Sequence, residues 1–236
     1  MTAGRDPSVD ALHAAGRLEV RAHLPRTGES APTGESAPTG EIVLAGVPVL
    51  VPASYRAARP AGALVMLHGA GGTSAQSLAQ LRDVATRHGV IVVAPKSIKP
   101  SWDFLHGGYG GDVAQIDGAL AALFERYAIE PARVAIAGFS DGASYALSLG
   151  LSNGDVFRTI LAFAPGLVRA PTRHGRPRIF ISHGTNDRVL PIDITSRRIV
   201  PALRRDRYDI EYVELAGGHV ILESTLAQAM TWWLGG

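Results

Sequence analysis

The sequence predicts an α/β protein: a doubly wound, mostly parallel sheet with an antiparallel start and helices on both faces. Three observations carry that expectation. Residues 62–67 and 90–94 are continuous apolar runs without polar alternation, the pattern of strands covered on both sides. Between such runs lie stretches with apolar residues at helical spacing, as in Leu78, Leu81, Val84 and Ala85. From residue 62 onward strand and helix alternate, which parallel sheets require.

Size and composition fit one soluble globular core. The chain has 236 residues, 46% hydrophobic and 19% charged, ordinary values for that class. The net charge of +2 comes from 23 basic and 21 acidic residues, and only Lys96 and Lys99 are lysines. Arginines are scattered, and the group Arg204, Arg205 and Arg207 reads as a solvated helix end, not a nucleic-acid surface. Cysteine is absent, which removes disulfides, thiolate metal sites and a cysteine nucleophile. Residues 1–10 lack an apolar signal core, and no run approaches the ~18 apolar residues of a membrane span. These features point to a cytoplasmic protein without membrane span.

In chain order, residues 1–16 read as a loose arm or a frayed helix, and residues 16–24 alternate as a half-buried strand. Gly28-Glu29-Ser30-Ala31-Pro32-Thr33 is repeated at once as Gly34-Glu35-Ser36-Ala37-Pro38-Thr39, with the composition of a flexible surface loop. Residues 1–40 are therefore read as an N-terminal strand and flexible repeat-containing loop, and residues 41–236 as the core, within a single domain overall. Residues 41–51 read as a strand pair bent near Gly46. Residues 74–88 form a helix that Gly89 stops, and residues 95–111 form a long loop rich in aromatics and glycine. Asp112 is a plausible N-cap for a helix to about Tyr127. A strand at 133–137 leads into a helix at 143–150. Strands follow at 159–163, 178–181 and 208–215. Helices follow at 193–205, with Asp193 as its N-cap, and at 221–234.

Gly138-Phe139-Ser140-Asp141-Gly142 joins the 133–137 strand to the next helix. G-x-S-x-G between strand and helix is the context of a nucleophile elbow, in which a sharp turn lifts the serine hydroxyl clear of the sheet. An acyl-transfer serine also needs a base, an orienting carboxylate and an oxyanion cradle. Of the eight histidines, His219 in Ala216-Gly217-Gly218-His219 lies between the last strand and last helix, where it can swing toward Ser140. His68 and His183 precede glycines and read as turn-shaping residues; His13, His23, His88 and His174 read as surface residues. Asp187, in Gly184-Thr185-Asn186-Asp187, follows a strand, and the order Ser140, Asp187, His219 is that of a hydrolase triad. A turn aspartate or a partner of Arg188 is the competing reading of Asp187, and a cap of the last helix that of His219. Leu67-His68-Gly69-Ala70-Gly71-Gly72 follows the 62–67 strand, and its Ala70 N–H can join that of Asp141 on an oxyanion. No Gly-Lys-Ser/Thr follows, against a phosphate loop. The Asp141 side chain is expected to point away along its helix.

With these four motifs in order, each after a strand, residues 41–234 resemble the α/β-hydrolase superfamily, and within it the compact bacterial phospholipase/carboxylesterase group. The resemblance implies an α/β-hydrolase fold without a large cap domain. It implies carboxylic-ester hydrolysis through an acyl-enzyme on Ser140, Asp187 and His219, with no cofactor and no metal. Ala143 departs from relatives that carry a further glycine after the elbow. The substrate is then a small-molecule ester, and a homodimer stays among the allowed assemblies. A thioesterase or lysophospholipase on the same scaffold is the alternative, and a non-catalytic binding member of the fold is the alternative of another class. Little beyond residues 165–177 separates two strands where large-substrate relatives insert a lid, so an open, shallow site for short to medium acyl groups is expected. Trp102, Phe104, His106 and Tyr109 are candidates for its wall, against a role anchoring the loop on the core.

Overall fold

The computed structural model describes residues 7–22 and 37–235. His23 and residues 28–36 of the repeat lie outside the described residues. One eight-stranded sheet organises the chain, in the order β1-β2-β4-β3-β5-β6-β7-β8. β1 (Gly40–Leu44) and β2 (Val47–Val51) form an antiparallel hairpin. Its two-residue turn has positive φ at Ala45 (47°) and Gly46 (81°), the hand that matches strand twist. β2 runs antiparallel to β4 (Ile91–Val93). From β4 the sheet is parallel through β3 (Ala61–Leu67), β5 (Ile129–Phe139), β6 (Thr159–Phe163), β7 (Arg178–Gly184) and β8 (Ile210–Leu215).

Alternate strand residues point to opposite faces, so each apolar strand feeds two cores. On one face Ala63, Val65, Leu67 and Ile136 meet α3 (Gly111–Arg126), α4 (Asp141–Ser152) and α5 (Ser196–Arg205). On the other, Leu64, Met66, Ala137 and Phe180 meet α2 (Ser74–His88) and α6 (Glu223–Leu234). α2 starts in a capping box, with Thr73 and Gln76 satisfying each other's backbone N–H groups, and ends on Gly89 in the left-handed conformation. Trp233 is buried in the second core, and Trp232 lies against Phe180 under the Arg178 guanidinium.

Three sequence expectations change. Residues 17–22 form no strand. The backbone N–H of Leu18 donates to Asn153 Oδ1, and those of Glu19 and Val20 donate to the two oxygens of Asp117. Side chains of α3 and the end of α4 thus replace a ladder partner. His13, on α1 (Pro7–Ala14), is buried on Asp117 instead of exposed. Neither expected N-cap caps. Asp112 sits inside the first turn of α3, accepting from the N–H groups of Ile98 and Asp103. Asp193 lies in a short 3-10 turn before α5 and pairs with Arg197.

Candidate active site

Ala70, Ser140, Asp187 and His219 each sit just past the carboxyl end of a strand, where an open parallel sheet leaves its crevice. Ser140 follows β5 with φ 57° and ψ −119°, a conformation that costs a non-glycine residue free energy. The turn survives because its surroundings fix it. The Ser140 N–H donates to the Phe163 carbonyl at 2.9 Å. The Ser144 hydroxyl donates to the Ser140 carbonyl and accepts from the Gly166 N–H, tying the turn to the segment after β6. Backbone crowds both flanking glycines. A Cβ on Gly138 would stand 2.1 Å from the Gly142 carbonyl oxygen, and one on Gly142 would stand 2.2 Å from that of Leu67.

Asp187 lies on the loop after β7 and His219 on the loop after β8. The loops are stitched together by the Thr185 N–H on the Leu215 carbonyl and the Asn186 N–H on the Gly217 carbonyl. Their approach leaves no room at Gly184, where a Cβ would stand 2.3 Å from the Gly218 oxygen. The result is a continuous line of bonds. His219 Nδ1 lies 2.6 Å from Asp187 Oδ2, and His219 Nε2 lies 2.8 Å from Ser140 Oγ. Asp187 Oδ1 accepts from the N–H groups of Val189 and Leu190, each at 2.8 Å. Burial pushes the Asp187 carboxyl up, but the Leu190 N–H, His219 and the Val189 N–H outweigh it and hold the group below the ordinary carboxylate value. An ionised Asp187 accepting at Oδ2 fixes the proton on His219 Nδ1 and leaves Nε2 free to take one from Ser140.

On the other side of Ser140 runs the glycine-rich loop after β3. It is held by the Gly71 N–H on the Pro100 carbonyl at 2.7 Å and the Gly72 N–H on the Gly69 carbonyl at 3.0 Å. His68 shapes this loop: Nδ1–H donates to the Gly69 carbonyl and Nε2 accepts from the Ser97 N–H. Burial, more than any charge, pushes its imidazole below the ordinary value. A cavity of about 530 Å³ opens here, lined by Met66, the 68–72 loop, Gln76, Ser77, Gln80, Phe139, His219, Val220 and Ile221. The loop bearing Ala70 and the imidazole of His219 therefore share one space.

The aromatic loop takes a different part from the one expected. Trp102 and Phe104 are completely buried, so neither forms a pocket wall. Trp102 stacks between His68 and Tyr145, and its Nε1–H donates to the His68 carbonyl at 2.9 Å. Phe104 packs on Tyr109 and Tyr145. Tyr109 is half-buried with its hydroxyl on the Arg169 carbonyl, and His106 is exposed. None of the four lines the cavity beside His219. Anchoring won because the loop carries flat apolar rings next to a buried tyrosine. The Asp141 carboxylate is not idle either: Oδ2 accepts from the Ser101 hydroxyl at 2.6 Å. Sequence reading also missed the Val189 and Leu190 N–H groups, for which an aspartate two and three residues ahead in a tight turn is the only signal.

Sheet order, strand directions and the serine on a strand-to-helix turn define the α/β-hydrolase fold. No protein-family model matches the chain, and no curated protein matches it in sequence. Solved structures do match in fold. The esterase PE8 is 24% identical with a TM-score of 0.63, over 79% of this chain and 96% of that one. A phospholipase/carboxylesterase from Dyadobacter fermentans is 23% identical with a TM-score of 0.59, over 84% and 100%. The S-formylglutathione hydrolase FrmB from Staphylococcus aureus is 16% identical with a TM-score of 0.62, over 79% and 91%. No described helix is long and apolar enough to cross a membrane.

Proposed function

We propose that the protein is a serine carboxylic-ester hydrolase acting through an acyl-enzyme on short to medium acyl esters. The observation that carries this reading is the single imidazole of His219 bonded to both Ser140 Oγ, at 2.8 Å, and Asp187 Oδ2, at 2.6 Å. Few structural roles call for a strained serine in that company. In the proposed mechanism His219 removes the Ser140 proton as Oγ attacks the ester carbonyl. The backbone N–H groups of Ala70 and Asp141 bind the oxyanion, a contribution of about 2.7–4 kcal/mol per donor in comparable sites. His219 then protonates the departing alcohol, and a water repeats the sequence to release the acid. Asp187 holds the imidazole tautomer and steadies its charge.

The cavity bounded by Met66, Phe139 and Gln80 adjoins His219, the group that must meet the leaving oxygen. It supports placing the alcohol portion there. The 14 residues between β6 and β7 carry no helix, which supports an uncapped site. The esterases among the fold neighbours agree with this chemistry. The test is turnover of an acyl-chain series of aryl esters beside matching thioesters, with Ser140→Ala as control. Acetate and butyrate esters should be cleaved faster than long-chain esters, and Ser140→Ala should lose at least ~10³-fold in kcat. Ester turnover surviving in pure Ser140→Ala protein would end the triad assignment, and faster thioester cleavage would move the substrate class.

A further inference from the structure

His183 is a buried imidazole for which the mechanism above has no use. It is the penultimate residue of β7, its side chain is fully enclosed, and both ring nitrogens are engaged. Nε2 lies 2.8 Å from the Leu190 carbonyl and 3.2 Å from Asp187 Oδ2. Nδ1 lies 2.7 Å from the hydroxyl of Ser196, the first residue of α5, which is itself completely buried. Both neighbours of Nε2 are acceptors that cannot donate, so Nε2 carries a proton. Ser196 can donate to Nδ1, so one neutral tautomer satisfies every group present. Burial, the largest influence on this ring, favours that uncharged form.

We infer that His183, oriented by Ser196, is a positioning residue that extends the triad inward and holds Asp187 from behind. It acts at two points. Its Nε2–H pins the Leu190 carbonyl, and the N–H of that same residue grips Asp187 Oδ1 at 2.8 Å. The same Nε2–H also faces Oδ2, the oxygen that accepts from His219. The turn 187–190 is thereby closed on itself by a side chain from the strand below it. A hydrophobic residue of equal size would fill the space and leave the Leu190 carbonyl and Oδ2 facing an apolar wall. Ser196 and His183 place the first turn of α5 in hydrogen-bonded series with the nucleophile: Ser196, His183, Asp187, His219, Ser140.

The inference rests on the ester-hydrolase reading, and its test separates the two. Wild-type turnover and its loss in Ser140→Ala report on that reading. The His219–Asp187 bond has its own signature, the far-downfield resonance of the imidazole Nδ1 proton, which needs no substrate. The groups facing His183 are Asp187 and His219 on the loops above and Glu214, its register partner on β8. Glu214 is engaged by Arg197, so it enters each variant unchanged.

In His183→Leu the Asp187 carboxylate loses a proton donor and becomes more basic. It then stabilises the His219 imidazolium more, so the acid limb of kcat/KM moves to higher pH and the downfield resonance shifts. kcat should fall about 10–100-fold with KM within about twofold, the scale of a small misplacement of a catalytic group. His183→Gln places an amide N–H near the Nε2 position and should recover kcat to within about fivefold of wild type. Ser196→Ala removes only the orienting hydroxyl and should give a smaller loss with the same direction of shift; it decides the matter if His183→Leu does not fold. An unmoved acid limb and resonance in both His183→Leu and Ser196→Ala would overturn the assignment. So would equal loss in His183→Leu and His183→Gln, which would reduce the residue to packing.

Discussion

Gly142→Ala gives the sharpest test of how the elbow is built. The added methyl would stand 2.2 Å from the Leu67 carbonyl oxygen and 2.5 Å from that of His68. Both are backbone atoms, so no rotamer relieves the clash. Restoring even a 3.0 Å contact requires the end of β3 and the start of α4 to separate by about 0.8 Å. That movement opens the space between Ser140 and the loop bearing Ala70, the dimension on which the proposed oxyanion binding depends. A displacement approaching 1 Å costs about 10²-fold in rate, or about 2.7 kcal/mol of transition-state stabilisation. Overpacking of this kind costs stability about 1–3 kcal/mol, too little to unfold a typical domain. The assay is therefore a pair of measurements on one preparation: kcat/KM on a short aryl ester and the urea midpoint. Gly150→Ala in the same helix is the control, since its methyl meets the side chains of Ile160 and Ile136 and no backbone, and it lies nearly three turns beyond Ser140. The expected outcome is a folded Gly142→Ala protein with at least tenfold lower kcat/KM than Gly150→Ala. Equal activity in the two would refute the claim that this approach of β3 and α4 sets the catalytic geometry.

Two further outcomes follow from bonds already described. Asp141→Asn should keep most of its activity, because an amide oxygen can still accept from Ser101 and the backbone N–H is unchanged; a loss above about tenfold in kcat/KM would give the carboxylate a role of its own. Asp155 is paired with Arg17 through two bonds of 2.9 Å, and the Arg17 contact depresses its carboxyl to about 2. Its folded value lies below that of an unfolded aspartate near ~3.9, so its contribution is present above that pH and is lost as pH falls toward 2. Discounted for its one-third exposure, the pair should contribute about 1 kcal/mol at neutral pH. Urea midpoints of wild type and Asp155→Asn should therefore differ at pH 7 and draw together as pH falls from about 4 toward 2; a constant difference would contradict the linkage.

How much was legible follows from what each residue reports on. Continuous apolar runs disclose buried strands, because no polar side chain fits there, and helical apolar spacing discloses a helix; residues 62–67, 159–163 and 74–88 fall within a residue of the elements observed. Ser140, Asp187 and His219 were legible because each carries a motif after a strand, and the structure brings the three together. Residues 17–22 misled because alternation records only which side chains are buried, not what the backbone bonds to. Asp117 and Asn153, 98 and 135 residues away from the N–H groups of Glu19 and Leu18, supply those partners. Trp102 and Phe104 misled for a related reason: an aromatic in a loop is equally fit to meet a ligand or the core, and only Tyr145 beneath them decides. The work of His183 and Ser196 was illegible because it depends on a helix start and a strand end meeting in three dimensions.

The positive φ of Ser140 sets the two demands on this residue against each other. Glycine adopts that backbone without strain, so exchange of Ser140 for glycine relieves a cost of about 1–3 kcal/mol while removing the hydroxyl. Selection on folding alone would thus drive the position toward the residue that abolishes the proposed catalysis. Thermal-stability screens of this chain would enrich for inactive molecules unless turnover were selected alongside.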